Sequence, residues 1–204
     1  MTMQNAGVQV GRTVTPRKIL LDTDFHAIID GILDSAAYDG GQASGYESYI
    51  RGGWILGFNS TTKRWTLCKQ STTSTTGSVT SAVVANSYPF KVGDVITIGG
   101  DTDITLTGVN YSTHTLTWSG SKTIASGEAV IAQDGSQIAR GILLNDEIEL
   151  YDYEKRTLVN KPIKILARGS VFNSSLLGDV SAIFTQGNTN SMLYHRIIRD
   201  SEYT

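Results

Sequence analysis

The stretch from Val79 to Gln133 carries six charges in 55 residues, Lys91, Asp94, Asp101, Asp103, Lys122 and Glu128, and repeats a short apolar run followed by a turn. Ile104-Thr105-Leu106-Thr107 alternates apolar and hydroxyl side chains with the period of two that a half-buried strand requires, and Leu116-Thr117-Trp118 answers it across Asn110 to His114. Val79 to Ala85, Val92 to Ile98 (turned by Gly99-Gly100-Asp101) and Ile124 to Ile131 complete five short strands. Strands at this spacing with polar turns predict a small β-barrel or sandwich. The rest of the composition agrees. Charged residues make up 18% of the chain, low for a globular protein, while Ser and Thr number 44. Thr packs well on pleated surfaces, so the expected class is mainly β, a β-rich α+β core with an inserted β-domain.

Three regions flank or interrupt this pattern. Residues 1–18 hold Arg12, Arg17 and Lys18 with no acid before Asp22, and Gly7, Gly11 and Pro16 oppose a helix. They read as an extended arm, either a loose terminus or a segment that orders on a partner. From Lys18 to Leu33 two short strands are expected, followed by a loop from Ser35 to Ser48 and a hairpin, Arg51 to Gly57 and Arg64 to Lys69, about Asn59-Ser60-Thr61-Thr62. The run Ser71-Thr72-Thr73-Ser74-Thr75-Thr76-Gly77-Ser78 reads as a polar linker. Ile138 to Leu144 and Ile163 to Leu166 read as strands, and Leu176 to Phe184 as the one plausible helix.

Two segments on either side of the charge-poor region belong together. One is Arg51-Gly52-Gly53-Trp54-Ile55-Leu56-Gly57 with Lys63-Arg64-Trp65-Thr66-Leu67. The other runs from Asp134-Gly135-Ser136-Gln137-Ile138-Ala139-Arg140-Gly141-Ile142-Leu143 to Pro162-Ile163-Lys164-Ile165-Leu166-Ala167-Arg168-Gly169-Ser170-Val171-Phe172-Asn173. In order and in the Asp-Gly-Ser to Gly-Ile-Leu block they resemble the tailed-phage head decoration proteins, the small D-type capsid cement family. The resemblance covers residues 49–70 and 134–177. It implies a virion protein that sits as a homotrimer on the outer capsid surface, binds the major capsid protein and performs no chemistry. It implies by position that arm residues Arg12, Val14, Pro16, Arg17 and Lys18 meet the capsid. Because family-like sequence resumes at Asp134, residues 71–133 are expected to be a domain inserted into a surface loop of a core formed by 19–70 and 134–204; surface loops tolerate such insertions.

Little in the chain points to catalysis or cofactors. His26, His114 and His195 lie in separate regions without metal-ligand spacing, His114 in a turn where a solvated imidazole is expected. Asp22-Thr23-Asp24 lacks a third acid, and no Gly-rich loop opens a helix. Cys68 is the single cysteine and reads as a buried small hydrophobe. A net charge of −2 without a basic stripe argues against nucleic acid. No charged leader precedes an apolar run, and no window reaches the ~20 apolar residues of a membrane span, so synthesis in a host cytoplasm is expected.

Charge patterning leaves alternatives open. Asp146, Glu147, Glu149, Asp152 and Glu154 form an acidic strip, whereas 157–172 carries Lys161, Lys164 and Arg168 and no acid. Arg140 and Arg168 each precede a Gly and read either as surface arginines at strand bends or as partners of acids such as Glu149 across a subunit interface. An intrachain pairing of the same strips fits equally well. Two further functional classes stay open: a phage tail or baseplate β-protein, and a carbohydrate-binding module that stacks a host-surface glycan on Tyr88, Tyr111 and Trp118 of the inserted region. Core burial of Trp118 beside Leu106 and Leu116 competes with the last of these.

Overall fold

The computed structural model describes residues 26–172, 176–178 and 195–198, and within them every regular element is a strand. In chain order these are β1 (Ala27–Leu33), β2 (Tyr49–Arg51), β3 (Ile55–Asn59), β4 (Arg64–Leu67), β5 (Gln70–Thr72), β6 (Gly77–Val83), β7 (Val95–Ile98) and β8 (Asp101–Asn110). They continue with β9 (Thr115–Ile124), β10 (Ala129–Ala132), β11 (Ala139–Leu143), β12 (Glu147–Glu149), β13 (Tyr151–Asp152), β14 (Thr157–Leu158), β15 (Lys161–Phe172) and β16 (His195–Ile198). The fold is therefore mainly β. Of the expected helix Leu176–Phe184 only 176–178 are described, and there Leu177 makes a parallel bridge to Trp54 instead; the remainder lies outside the described residues.

The first sheet runs β1-β4-β3-β11-β15-β16, and β1 also pairs with β15, so five strands close into a barrel with β16 added beside β15. Closure removes free edges from the ring, which is how a small sheet avoids presenting unpaired backbone to other chains. Inside lie Leu33, Trp54, Leu56, Leu67 and Ile165, each fully buried. Two glycines make room for the last of these. A Cβ on Gly31 would stand 2.5 Å from Ile165 Cδ1, and one on Gly141 would stand 2.4 Å from Ile165 Cγ2. Of the two short strands expected over Lys18–Leu33, the second is present as β1, and the first, at 19–21, lies outside the described residues. Within the described part, 27–33 is one continuous strand, and its glycine admits a distant isoleucine.

The second sheet, β5-β10-β7-β8-β9-β6, takes all its strands from residues 70–132, and a bridge between Thr73 and Val84 links its two ends. Its core of Phe90, Ile96, Ile98, Leu106, Leu116, Trp118, Ile124 and Val130 is drawn wholly from the same stretch. The alternation seen in the sequence sets the register, with Leu106 opposite Trp118 and Val109 opposite Leu116. Six strands rather than five form because the run 71–78 is not a linker. Gln70, Ser71 and Thr73 are buried, and the run joins β5 to the start of β6. Its hydroxyls satisfy backbone groups: Ser71 Oγ accepts from Asn86 N at 2.9 Å, and Thr75 Oγ1 accepts from Val83 N at 2.8 Å. Burying polar side chains becomes tolerable once each is hydrogen-bonded in this way.

Polar side chains join the two sheets. Lys69 Nζ lies 2.6 Å from Asp94 Oδ1, with the side chains 9% and 10% exposed, and 3.9 Å from Asp134 Oδ2. Lys91 Nζ donates to the carbonyl of Ala36 at 2.7 Å. Gly40 lies against the Tyr111 ring, where a Cβ would approach within 2.2 Å. Tyr111 itself packs beside Tyr38, ring centroids 5.7 Å apart, and donates its hydroxyl to the Phe90 carbonyl.

Candidate functional site

Residues 51–67 and 134–143 meet in space, and several of their side chains hold the fold together. β3 pairs with β11, setting Gly57 opposite Ala139 and Leu56 opposite Gly141. Asp134 binds the hairpin from the outside: its carbonyl accepts from Ser60 N at 2.7 Å, its carboxylate accepts from Asn59 Nδ2 at 3.0 Å, and it caps Ser136 N at 3.0 Å. Gly135, at φ 91°, makes the turn that aims these groups. Beside this, the fully buried Asp39 takes two hydrogen bonds from the Arg51 guanidinium, both at 2.7 Å, and one from Trp54 Nε1 at 2.8 Å. The bidentate fork fixes Arg51 in the plane of the carboxylate. These residues build the fold.

Two surfaces remain as candidates for contact with other molecules. The first is the outer side of β1, where Ile28 and Ile32 are 45% and 54% exposed and alternate with Asp30, paired to Lys164 at 2.5 Å. Ile28 also borders a shallow groove with Leu144, Asn145 and Lys164. The second is a groove bordered by Gly45, Tyr46, Ser48, Tyr49, Tyr151 and Tyr153. Pairing of β2 with β12 sets Tyr49 opposite Glu149, and the Tyr49 hydroxyl donates to the Glu149 carboxylate and lies 2.8 Å from the Tyr153 hydroxyl. Burial, then the hydrogen bond to Glu149, drives the Tyr49 phenol far above its ordinary range, so it stays protonated. Asp152 accepts from Glu154 N and Lys155 N, and the Lys155 backbone bond above all lowers its carboxyl.

The residues singled out from sequence fall in separate places. Arg12, Val14, Pro16, Arg17, Lys18 and the pair Asp22 and Asp24 lie outside the described residues. Arg140 projects at the bulge between Ala139 and Gly141 in β11, and Arg168 is exposed in β15 opposite Ala27. Glu149 is engaged with Tyr49, and Lys164 pairs with Asp30 outside the acidic strip. Trp118 is 3% exposed in the core, and Tyr88 packs edge-on against His114, centroids 4.8 Å apart. His114 is not the solvated turn residue expected from sequence. At φ 51° it turns its ring inward, with Nδ1 3.1 Å from Ser87 Oγ. Among the described residues, no three His, Cys, Asp or Glu side chains converge to hold a metal ion.

The tyrosine groove and the isoleucine row escaped the sequence reading. The groove's signal is the alternation Tyr151-Asp152-Tyr153, but the partner segment 46–49 is some hundred residues away. The row's signal is Ile28 and Ile32 on one face of a period-two strand, but Ile29 and Leu33 make the other face equally apolar, so the pattern alone does not say which face is outward. Comparison of the chain with protein-family models, curated proteins and solved structures returned no match.

Proposed function

We propose that the chain is a non-enzymatic virion structural protein that binds the outer surface of a phage capsid as a homotrimer and braces the shell against packaged DNA. The observation that carries this reading is the meeting of the two family-like segments. They are separated by the whole second sheet, yet they pair as β3 and β11 and are fastened by Asp134, Gly135 and Ser136. A motif that resembles a known family at both ends and closes one barrel is harder to reach by chance than either half alone. The isoleucine row of β1 offers a second copy an apolar face, and the basic arm 1–18 offers the major capsid protein a charged one. Three modest contacts joined in one trimer gain strength through effective concentration, without any single strong site.

The test is sedimentation of the full chain alone and with expanded and unexpanded empty capsids. Trimers that co-sediment with expanded shells support decoration, and Ile32→Glu is expected to leave the chain folded but monomeric. Tube-like polymers without capsid binding support a tail or baseplate part instead. Binding to a glycan array without capsid binding supports a surface carbohydrate module.

A further inference from the structure

The tyrosine groove serves no evident purpose in the barrel, and capsid attachment does not call on it. We propose that it is a binding site for an organic cation, a quaternary ammonium or guanidinium headgroup held among the phenol rings over the Glu149 carboxylate. Tyr46, Tyr49, Tyr151 and Tyr153 border the groove, with Tyr46 37% and Tyr153 53% exposed at its rim. The rings do not form a flat wall. Tyr46 and Tyr49 are 5.5 Å apart at 53°, and Tyr151 and Tyr153 are 5.0 Å apart at 75°, so the two pairs present rings at several angles around one space. An aromatic ring is negative over its face, and rings set at angles to one another around a cation each contribute to holding it.

Electrostatics selects the sign of the guest. Among the described residues no cation contacts the Glu149 carboxylate, whose partner is the Tyr49 hydroxyl. The nearest base along the chain, Lys155, pairs with Asp152 at 3.6 Å. From Asp146 to Glu154 the chain carries five acids and no base. A carboxylate bonded to the groove's Tyr49 hydroxyl, with no cation on it among the described residues, adds a negative potential behind the rings that repels anions and favours a positive guest. Quaternary ammonium and guanidinium groups are weakly hydrated and give up water readily, unlike a primary ammonium. A metal ion would require several converging carboxylates, which the described residues lack.

The test uses the full chain and isothermal titration calorimetry with choline, and in parallel with 3,3-dimethyl-1-butanol, its neutral carbon isostere. Choline is expected to bind saturably, with the isostere weaker by about two- to fivefold, the scale of an exposed cation–π contact. Tyr153→Ala, at an exposed rim position, and Glu149→Gln, which keeps a hydrogen-bonding side chain but removes the charge, are each expected to weaken choline by a similar factor while circular dichroism melts show a folded protein. A peptide of residues 8–18 identifies the source of the cation. If choline displaces it, the chain's own basic arm from another copy is a guest. If choline binds and the peptide does not, the guest comes from outside the chain, and the site stands in both cases. Equal affinity for choline and the isostere, no binding of choline, or binding that both folded variants retain in full overturns the proposal. None of these outcomes depends on capsid binding.

Discussion

Gly57 lies directly beneath the backbone of Ser136: a Cβ built on it would stand 1.9 Å from the Ser136 carbonyl oxygen. That contact is between two main chains, so no side chain can swing aside to relieve it. It explains why a glycine ends the Arg51–Gly57 run and why the Asp-Gly-Ser block sits where it does. Gly57→Ala must push β3 away from the 134–136 turn, opening the β3–β11 pairing and the Asp134 bonds to Asn59 and Ser60. We expect a loss of about 2–3 kcal/mol, the upper part of the range for overpacking a tight site, read as a fall in the thermal or urea midpoint. Gly100→Ala, where a Cβ would meet nothing within 4 Å, is the matched control and should be close to neutral.

Asp39 makes a second test of the barrel's polar interior. It is fully buried and holds both Arg51 and the Trp54 indole. Asp39→Ala strands a guanidinium that is only 24% exposed beside an indole N–H without its acceptor. The expected cost is about 3 kcal/mol or more, since breaking a buried pair leaves an uncompensated charge. Arg51→Met/Asp39→Leu should recover a large part of that loss, because removing both charges is far cheaper than removing one. Urea denaturation of the three proteins checks the order.

What could be read from sequence is what depends on neighbours in sequence. The Ile104–Thr107 alternation, the Asn59–Thr62 turn and the burial of Cys68 all followed from local pattern, and all appear in the structure. Gly31 and Gly141 were unreadable, because the group that needs their missing side chains is Ile165 on a third strand. The Ser71–Ser78 run was misread because composition cannot tell a hydroxyl bonded to Val83 N from one bonded to water. The Lys69–Asp94 pair left no trace in the local pattern, since its partners are 25 positions apart. Matching the strips 146–154 and 157–172 by sign failed to anticipate that Lys164 would find Asp30. For the candidate sites, sequence supplied the residue types, while the tyrosine groove required the fold to bring positions 46–49 to 151–153.

Alkaline pH should destabilise the protein. Burial pushes the Cys68 thiol well above its ordinary value, and burial also raises the phenols of Tyr49 and Tyr111. In the unfolded chain these groups release their protons at ordinary values, about 8.5 for the thiol and about 10 for the phenols. The folded state then binds more protons than the unfolded state, so stability falls as pH rises. The contribution is fully present below about pH 8 and lost progressively above it, at a slope approaching 1.4 kcal/mol per pH unit for Cys68 alone. Cys68→Ala should flatten the first part of that decline while lowering stability at neutral pH. A Cys68 that reacts with a thiol reagent at pH 8 as fast in the native chain as in urea would contradict this account.

Excising residues 71–133 and bridging the gap with a short Gly-Ser linker tests how independent the barrel is. The barrel strands β1, β3, β4, β11 and β15 all survive the cut, and every core residue of the second sheet leaves with it. The difficulty is electrostatic. Lys69, 9% exposed, loses Asp94 and keeps only the more distant Asp134, and Tyr38 and Gly40 lose the cover of Tyr111. With the second sheet gone, water reaches Lys69, so the loss is smaller than for an unpaired buried charge, about 1–2 kcal/mol. The excised chain should fold with a two-state melt below that of the full chain, and Lys69→Gln in that background should change stability by less than the same substitution in the full chain. In the full chain, Lys69→Gln leaves Asp94, 10% exposed, without its cation and should cost more. If the excised chain is insoluble or lacks a cooperative melt, the two sheets form one cooperative unit and the second supports the first. If Lys69→Gln is equally harmful in both backgrounds, the lysine's main partner is Asp134 rather than Asp94.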